Sequence, residues 1–418
     1  MKLKFVLFSL LVCSYSIAQE FLYFNKSSQE KIAKDYMSVI GSSETFSSGL
    51  NFNLLSRING GGEISETEKN RDISKLSELN RFESISRYGV FLQYTPIKKL
   101  KEKNFALTFN ASQRNVLGGS FTKNLAELIA YGNEPYLGET LDFTNSKIFQ
   151  LNVQQIGLGI KKEMKFGEME LLLSASVNYL NAKNGSNIEI LSSNLTTDSS
   201  GFEVRGKLNG NYSKFPAESK PGLFFVNKGN GISGDLNFVL SKENKWNFSG
   251  GIHDLGNVKI YQAAKVNVDT TFSFKGIYID TYRLLYDTSY IANGDSLTKL
   301  LKFDESASQK IALPYFVYLN FSKTILKEKF TLHSGLSYRN NFLNFPSLQL
   351  GLSYNKTVII PRIDALVFAG KNLTYRIGAY YKFKDTLSIE LQTIAPHFIF
   401  YRNSNSFGGA LVLSYFLN

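Results

Sequence analysis

Very little in this 418-residue chain can do thiol or metal chemistry. Cysteine occurs once, at Cys13, and histidine three times, at His253, His333 and His397. The histidines lie far apart, and none belongs to an HxxH or HExxH pattern, so neither a metal site nor a cofactor is expected. Tryptophan occurs once and proline eight times. Past the first twenty residues, no window approaches the roughly 18 uninterrupted apolar residues that a membrane-spanning helix needs. Helical membrane proteins are thereby excluded.

What is abundant is aromatic. There are 34 Phe and 23 Tyr in a chain only 43 % apolar, a balance that suits alternating strands better than buried helices. The first residues, MKLKFVLFSLLVCSYSIAQE, read as a secretory signal. Lys2 and Lys4 form its basic region, Phe5–Val12 its apolar region, and Ser16-Ile17-Ala18 its cleavage site. Cleavage after Ala18 would remove Cys13, leaving no cysteine for disulfides or thiol catalysis. The formal charge of +12 would fall to +10 (12 − 2) with the two signal lysines. On an exported chain with scattered charges this points to anionic lipid or polysaccharide rather than to nucleic acid.

Period-two alternation runs from about residue 46 to the end. Tyr88, Val90, Leu92 and Tyr94 share one face, opposite Arg87, Gly89 and Gln93. Leu171, Leu173, Ala175, Val177 and Tyr179 share another, opposite Ser174, Ser176 and Asn178. A soluble sandwich or a propeller also alternates. Three features favour a transmembrane barrel. Runs of about 9–12 residues suit a tilted membrane crossing. Tyr and Phe recur near strand ends. The second face is Ser, Asn, Thr, Gly and Gln rather than the Lys/Glu mixture of a solvated sheet. The expected fold is all-β: an outer-membrane β-barrel of about 14 antiparallel strands, with a short N-terminal segment and a small helix. The closing GGALVLSYFLN resembles the final strand that such barrels present to the barrel assembly machinery.

The expected organisation is a signal peptide over 1–18, a periplasmic or plug segment over 19–45, and the barrel over 46–418. Gly60–Leu79 and Ile277–Gln309 read as long polar extracellular loops. Asn124–Tyr131 reads as a short helix capped by Asn124 and stopped at Gly132-Asn133.

Catalytic constellations are poorly represented. There is no GxSxG elbow, and His333 and Ser334, adjacent on a strand, face opposite ways. No enzyme activity is expected, with an outer-membrane lipid hydrolase the least favoured reading. Arg87, Gln93, His333, Arg376, Tyr380 and Lys382 fall on the polar faces and are the candidate lumen-lining residues. The stretch KWNFSGGIHDLGNVKI places His253 beside Asp254. On a regular strand the two face oppositely and form no dyad, so Asp254-Leu255-Gly256 reads as a structural turn.

The succession NLAELIAYGNEPYLG, SVNYLNAKNGSN and NGISGDLNFVLSKENKWNFSGGIHDLGNVKI is similar to a Bacteroidota outer-membrane family of unknown function. That family resembles, distantly, the long-chain fatty-acid transporter barrels and the PorV-type barrels of type IX secretion. The resemblance rests on Gly132-Asn133, Gly231–Leu236 and Asp254-Leu255-Gly256. It implies a barrel of about fourteen strands and supplies no catalytic residue. The expected function is an outer-membrane protein that binds or passes a small hydrophobic or amphipathic molecule. The alternative is a non-transporting scaffold or accessory subunit of an envelope or type IX secretion-related complex. Expected partners are outer-membrane lipids and lipopolysaccharide, a small amphipathic ligand, the assembly machinery and envelope-complex proteins.

Overall fold

Alternation predicts two faces of opposite character, and a computed structural model of the chain shows which one faces out. Met37 and Val39 are 45 % and 48 % exposed, while Ser38 between them is buried. Leu373 is 73 % exposed, and Arg376, three residues on, is buried. Apolar side chains outside and polar ones inside reverse the rule for water-soluble domains and fit a wall facing lipid.

The structure describes residues 35–49, 65–96, 100, 102–215, 229–242, 245–275, 304–340, 346–368, 372–383, 386–394 and 405–417. The expected signal, residues 19–34, and residues 60–64 and 277–303 of the two expected loops lie outside these. Seventeen strands occur among the described residues: β1 (Asp35–Ser47), β2 (Leu79–Tyr94), β3 (Phe105–Thr122), β4 (Thr140–Asp142), β5 (Lys147–Phe166) and β6 (Met169–Thr197) come first. Then follow β7 (Glu203–Phe215), β8 (Gly229–Lys242), β9 (Trp246–Lys275), β10 (Asp304–Ala312), β11 (Phe316–Ile325) and β12 (Phe330–Arg339). The rest are β13 (Pro346–Tyr354), β14 (Ile359–Phe368), β15 (Asn372–Phe383), β16 (Leu387–Ile394) and β17 (Ser406–Leu417).

All pairings between these strands are antiparallel, and β17 pairs with β1 to close the wall. Three staves hold two strands end to end. β4 continues β5 along β6, β7 continues β8 between β6 and β9, and β10 continues β11 along β9. Seventeen strands thus make a closed 14-strand barrel, the fold of outer-membrane proteins. Closure gives every stave a neighbour on both sides over part of its length, β4 and β10 being paired on one side only, which suits a sheet whose paired part lies in hydrocarbon.

Several boundaries differ from expectation. Residues 35–45, assigned above to the N-terminal segment, belong to the wall, because β1 pairs with β17 and β2 along its length. Within the expected loop at 60–79, helix α1 (Glu66–Ile73) starts at a capping box, Ser65 accepting from the Glu68 amide and Glu68 from the Ser65 amide. Helix α2 (Lys123–Tyr131) forms where expected and ends at Gly132, whose φ of 75° suits glycine. Its cap is Thr122, not Asn124: Thr122 Oγ1 accepts from the Leu125 amide at 3.2 Å. Ile73 and Leu76 pack with Phe121, Ala126, Ala130 and Tyr131 to join α1 to α2. Burial pushes the Tyr136 hydroxyl, just after α2, up to about 12, with the Glu127 charge adding to it. The end of the expected loop at 277–309 is strand, since β10 starts at Asp304.

Candidate functional site

The inward face is divided into regions of different chemistry. Part of it is apolar: Ile85 of β2, Val116 of β3, Leu151 of β5, Leu180 of β6, Val258 of β9 and Ile311 of β10 belong to one buried cluster. This fills part of the lumen as a soluble core would.

Two ion-paired bridges cross the space beside it. Arg339, at the end of β12, donates from Nη1 to Glu83 Oε1 at 2.7 Å and from Nη2 to Glu44 Oε1 at 3.2 Å. Between β12 and β2 six staves lie on either side, so this bond joins opposite walls. A round 14-stave barrel would measure roughly 28 Å across, from strand spacing and tilt. Extended Arg and Glu side chains span far less, so the wall is pinched here. The second bridge joins Arg114 of β3 to Asp254 of β9, across three intervening staves. All five side chains are buried, and burial of such groups is tolerable only when they are paired.

A column of rings links the bridges. The Arg339 guanidinium lies 5.2 Å from the Phe316 ring centroid. Phe316 stacks on Tyr318 and Tyr318 on His253, with centroids 5.9 and 5.8 Å apart. His253 Nδ1 is 3.6 Å from Asp235 Oδ1.

The anchor of this column is the motif read above as a turn. Asp254-Leu255-Gly256 is instead a β-bulge inside the 30-residue strand β9. The register slips between Gly234↔Leu255 and Leu236↔Ile252, so Asp235 faces two residues, His253 and Asp254. Asp254 takes a positive φ of 61°, and its amide donates to Asp235 Oδ1 at 2.8 Å. The extra residue turns both His253 and Asp254 inward, at 8 % and 1 % exposure, so the expectation that they face oppositely is also corrected. Ser176 Oγ and Asn178 Nδ2 each donate to Asp235 Oδ2 at 2.8 Å. Gly256 has a steric reason: a Cβ there would collide with the Ile232 carbonyl.

Cavities lie on both sides of the pinch. One of about 630 Å³ opens among Lys242, Lys245 and Lys356 at the short-turn end and runs up to His333, Arg362 and Tyr380. A smaller one of about 180 Å³ lies beside it, with Ser249 in the wall of both. Ile40, Phe91, Leu172 and Val239 give this pocket apolar walls, while Arg87, Lys161, Asp235 and His253 give it polar ends. An outer vestibule of about 460 Å³, bordered by Arg81, Lys147 and Asn340, shares no lining residue with either.

Each of the six candidate lumen residues turns inward. His333 and Tyr380 line the large cavity, and His333 Nε2 is 3.0 Å from Ser353 Oγ. Arg376 donates from Nε to Asp364 Oδ2 at 2.9 Å, sharing that carboxylate with Arg362. The carboxylate lies over Gly351, where a Cβ would collide with it. Arg87 lines the small cavity and donates to Ser112 Oγ at 3.2 Å. Gln93 Oε1 accepts from Lys161 Nζ at 2.8 Å. Lys382 Nζ lies 5.1 Å from the Phe416 ring centroid and lines none of these cavities. The bridging residues Arg339, Glu44, Glu83 and Arg114 were not among the candidates. Their signal was a charge in the inward phase of a strand.

Among solved structures the chain is similar to the TodX deltaS2S3 mutant monoaromatic hydrocarbon channel, at 7 % identity over 92 % of this chain and 90 % of that one, with a TM-score of 0.44. It is also similar to the P. putida toluene transporter TodX, at 9 % identity over 92 % and 89 %, with a TM-score of 0.40. The translocator domain of the autotransporter NalP from Neisseria meningitidis is similar at 9 % identity over 95 % and 93 %, with a TM-score of 0.29. These scores carry nothing about cargo. No curated protein sequence matches. Residues 36–384 match the model of a family of unknown function, DUF5723, and the chain belongs to that family.

Proposed function

We propose that this barrel is a gated outer-membrane channel. In this reading its lumen accepts a small amphipathic molecule, and its long-connection end is held shut by Arg339. The observation that carries the proposal is the bond between opposite walls, Arg339 to Glu44 and Glu83. A permanently filled barrel would have no use for a cavity of about 630 Å³ open at one end. A plain pore would have no use for a buried bridge that costs desolvation. The amphipathic cargo is supported by the small cavity, where apolar walls meet Lys161 and Arg87.

Flux into proteoliposomes tests this. p-Toluenesulfonate serves as an amphipathic probe and arabinose as a polar one. Wild type admits both slowly, and Arg339→Ala admits p-toluenesulfonate at least tenfold faster. Equal rates for wild type and variant would remove the gate. Faster arabinose than p-toluenesulfonate through the variant would remove the amphipathic cargo.

A further inference from the structure

On the outward wall, two lysines oppose each other across β9 and β10. Lys310 of β10 and Lys259 of β9 are direct register partners, and both are exposed. In the flanking pairs, Gln309↔Ile260 and Ile311↔Val258, the buried Ile260, Ile311 and Val258 point inward, so the alternation sends the two ammonium groups outward together. Directly opposed Cβ atoms sit about 4.5–5.5 Å apart, and like charges at that spacing repel. Neither ammonium contacts a carboxylate among the described residues. An external anion between them would turn the repulsion into attraction.

Position identifies the anion. Below the pair, on the same wall, lie Leu255, 54 % exposed, and on β8 Ile232 and Leu236, 64 % and 58 % exposed. These face hydrocarbon. Past the pair comes Tyr261, 40 % exposed, and then the exposed Lys265. Apolar, then lysine, then tyrosine is the order found where a wall leaves the acyl chains and meets the headgroups. The pair stands toward the end with the long connections, which faces outward in these barrels. The headgroup layer there belongs to the outer leaflet.

We propose that Lys259 and Lys310 clamp a phosphate of the outer leaflet's phosphorylated glycolipid, with Tyr261 against its sugar or acyl root. The clamp shares no residue with the Arg339 bridge, and Lys310 also borders the outer vestibule.

Native mass spectrometry of the full chain in detergent, titrated with phosphorylated lipid A, tests it. Wild type is expected to retain lipid A. Lys259→Gln/Lys310→Gln should bind at least tenfold more weakly, and Lys259→Arg/Lys310→Arg should bind as wild type does. Lys103→Gln, exposed at the opposite end, should change nothing. Dephosphorylated lipid A should bind no better to wild type than phosphorylated lipid A binds to the glutamine variant. Undiminished binding by the glutamine variant, with its heat-modifiable electrophoretic shift intact, would overturn the clamp. So would equal retention of dephosphorylated lipid A. Competition by phosphatidylglycerol or inorganic phosphate at equal concentration would overturn the assignment to glycolipid.

Discussion

The two halves of the wall are built differently. From β2 to β9 the staves are long: β2, β3, β5, β6 and β9 run 16, 18, 20, 29 and 30 residues. From β11 to β17 no strand exceeds 12 residues. A tilted crossing of hydrocarbon takes about 9–11 residues, so the short half crosses and stops while the long half continues well beyond. Their inward faces differ too. The long half fills its lumen with a buried apolar cluster. The short half lines most of the large cavity with polar and charged groups, Arg362 and Glu390 among them. The long half thus acts as a wall with a core and holds the small cavity, while the short half borders most of the large one. Arg339 ties one to the other.

The sharpest way to break the long half is at its buried pair. Arg114→Ala leaves the Asp254 carboxylate buried without its guanidinium. The expected loss is about 3–5 kcal/mol of stability, read by urea unfolding in lipid vesicles. Replacing both partners with apolar residues should recover much of it. Next comes the apolar cluster. Leu151→Ala, inside it, should cost about 2–5 kcal/mol. Leu350→Ala, 67 % exposed on the lipid face of the short half, should cost clearly less. If the two cost the same, the long half has no core in its lumen.

In the short half, Arg362→Ala leaves Asp364 still held by Arg376. The loss should therefore stay near about 1.5–3 kcal/mol, the worth of a charged hydrogen bond, below that of Arg114→Ala. The smallest effect belongs to Ser353→Ala, which removes the partner of His333 at about 1 kcal/mol. Flux of p-toluenesulfonate should not change. A loss of flux without a loss of stability would give the Ser353–His333 contact a working role.

The wall was legible in the sequence because lipid and lumen demand opposite surfaces at alternate residues. Tyr88/Val90 against Arg87/Gln93 shows this directly. Shared staves were not legible: β7 and β8 look like any two strands, and only pairing with β6 and β9 shows them collinear. The bulge escaped for a related reason. Regular alternation sends His253 and Asp254 to opposite faces, and only the opposing Asp235, reached through the fold, lets one extra residue fit. The Arg339 bridge lay furthest from view. Its partners are 256 and 295 residues away, and their meeting depends on closure and flattening of the barrel, which no local pattern encodes.

Closure of the lumen by that bridge is the central claim. Single-channel recording in planar bilayers tests it most directly, comparing wild type with Glu44→Gln/Glu83→Gln, which keeps the size of both side chains but removes the charges that hold Arg339. The expected result is a mostly silent wild type and a double variant with long open events, its time-averaged current at least tenfold higher. Two natively folded proteins with the same current would contradict it.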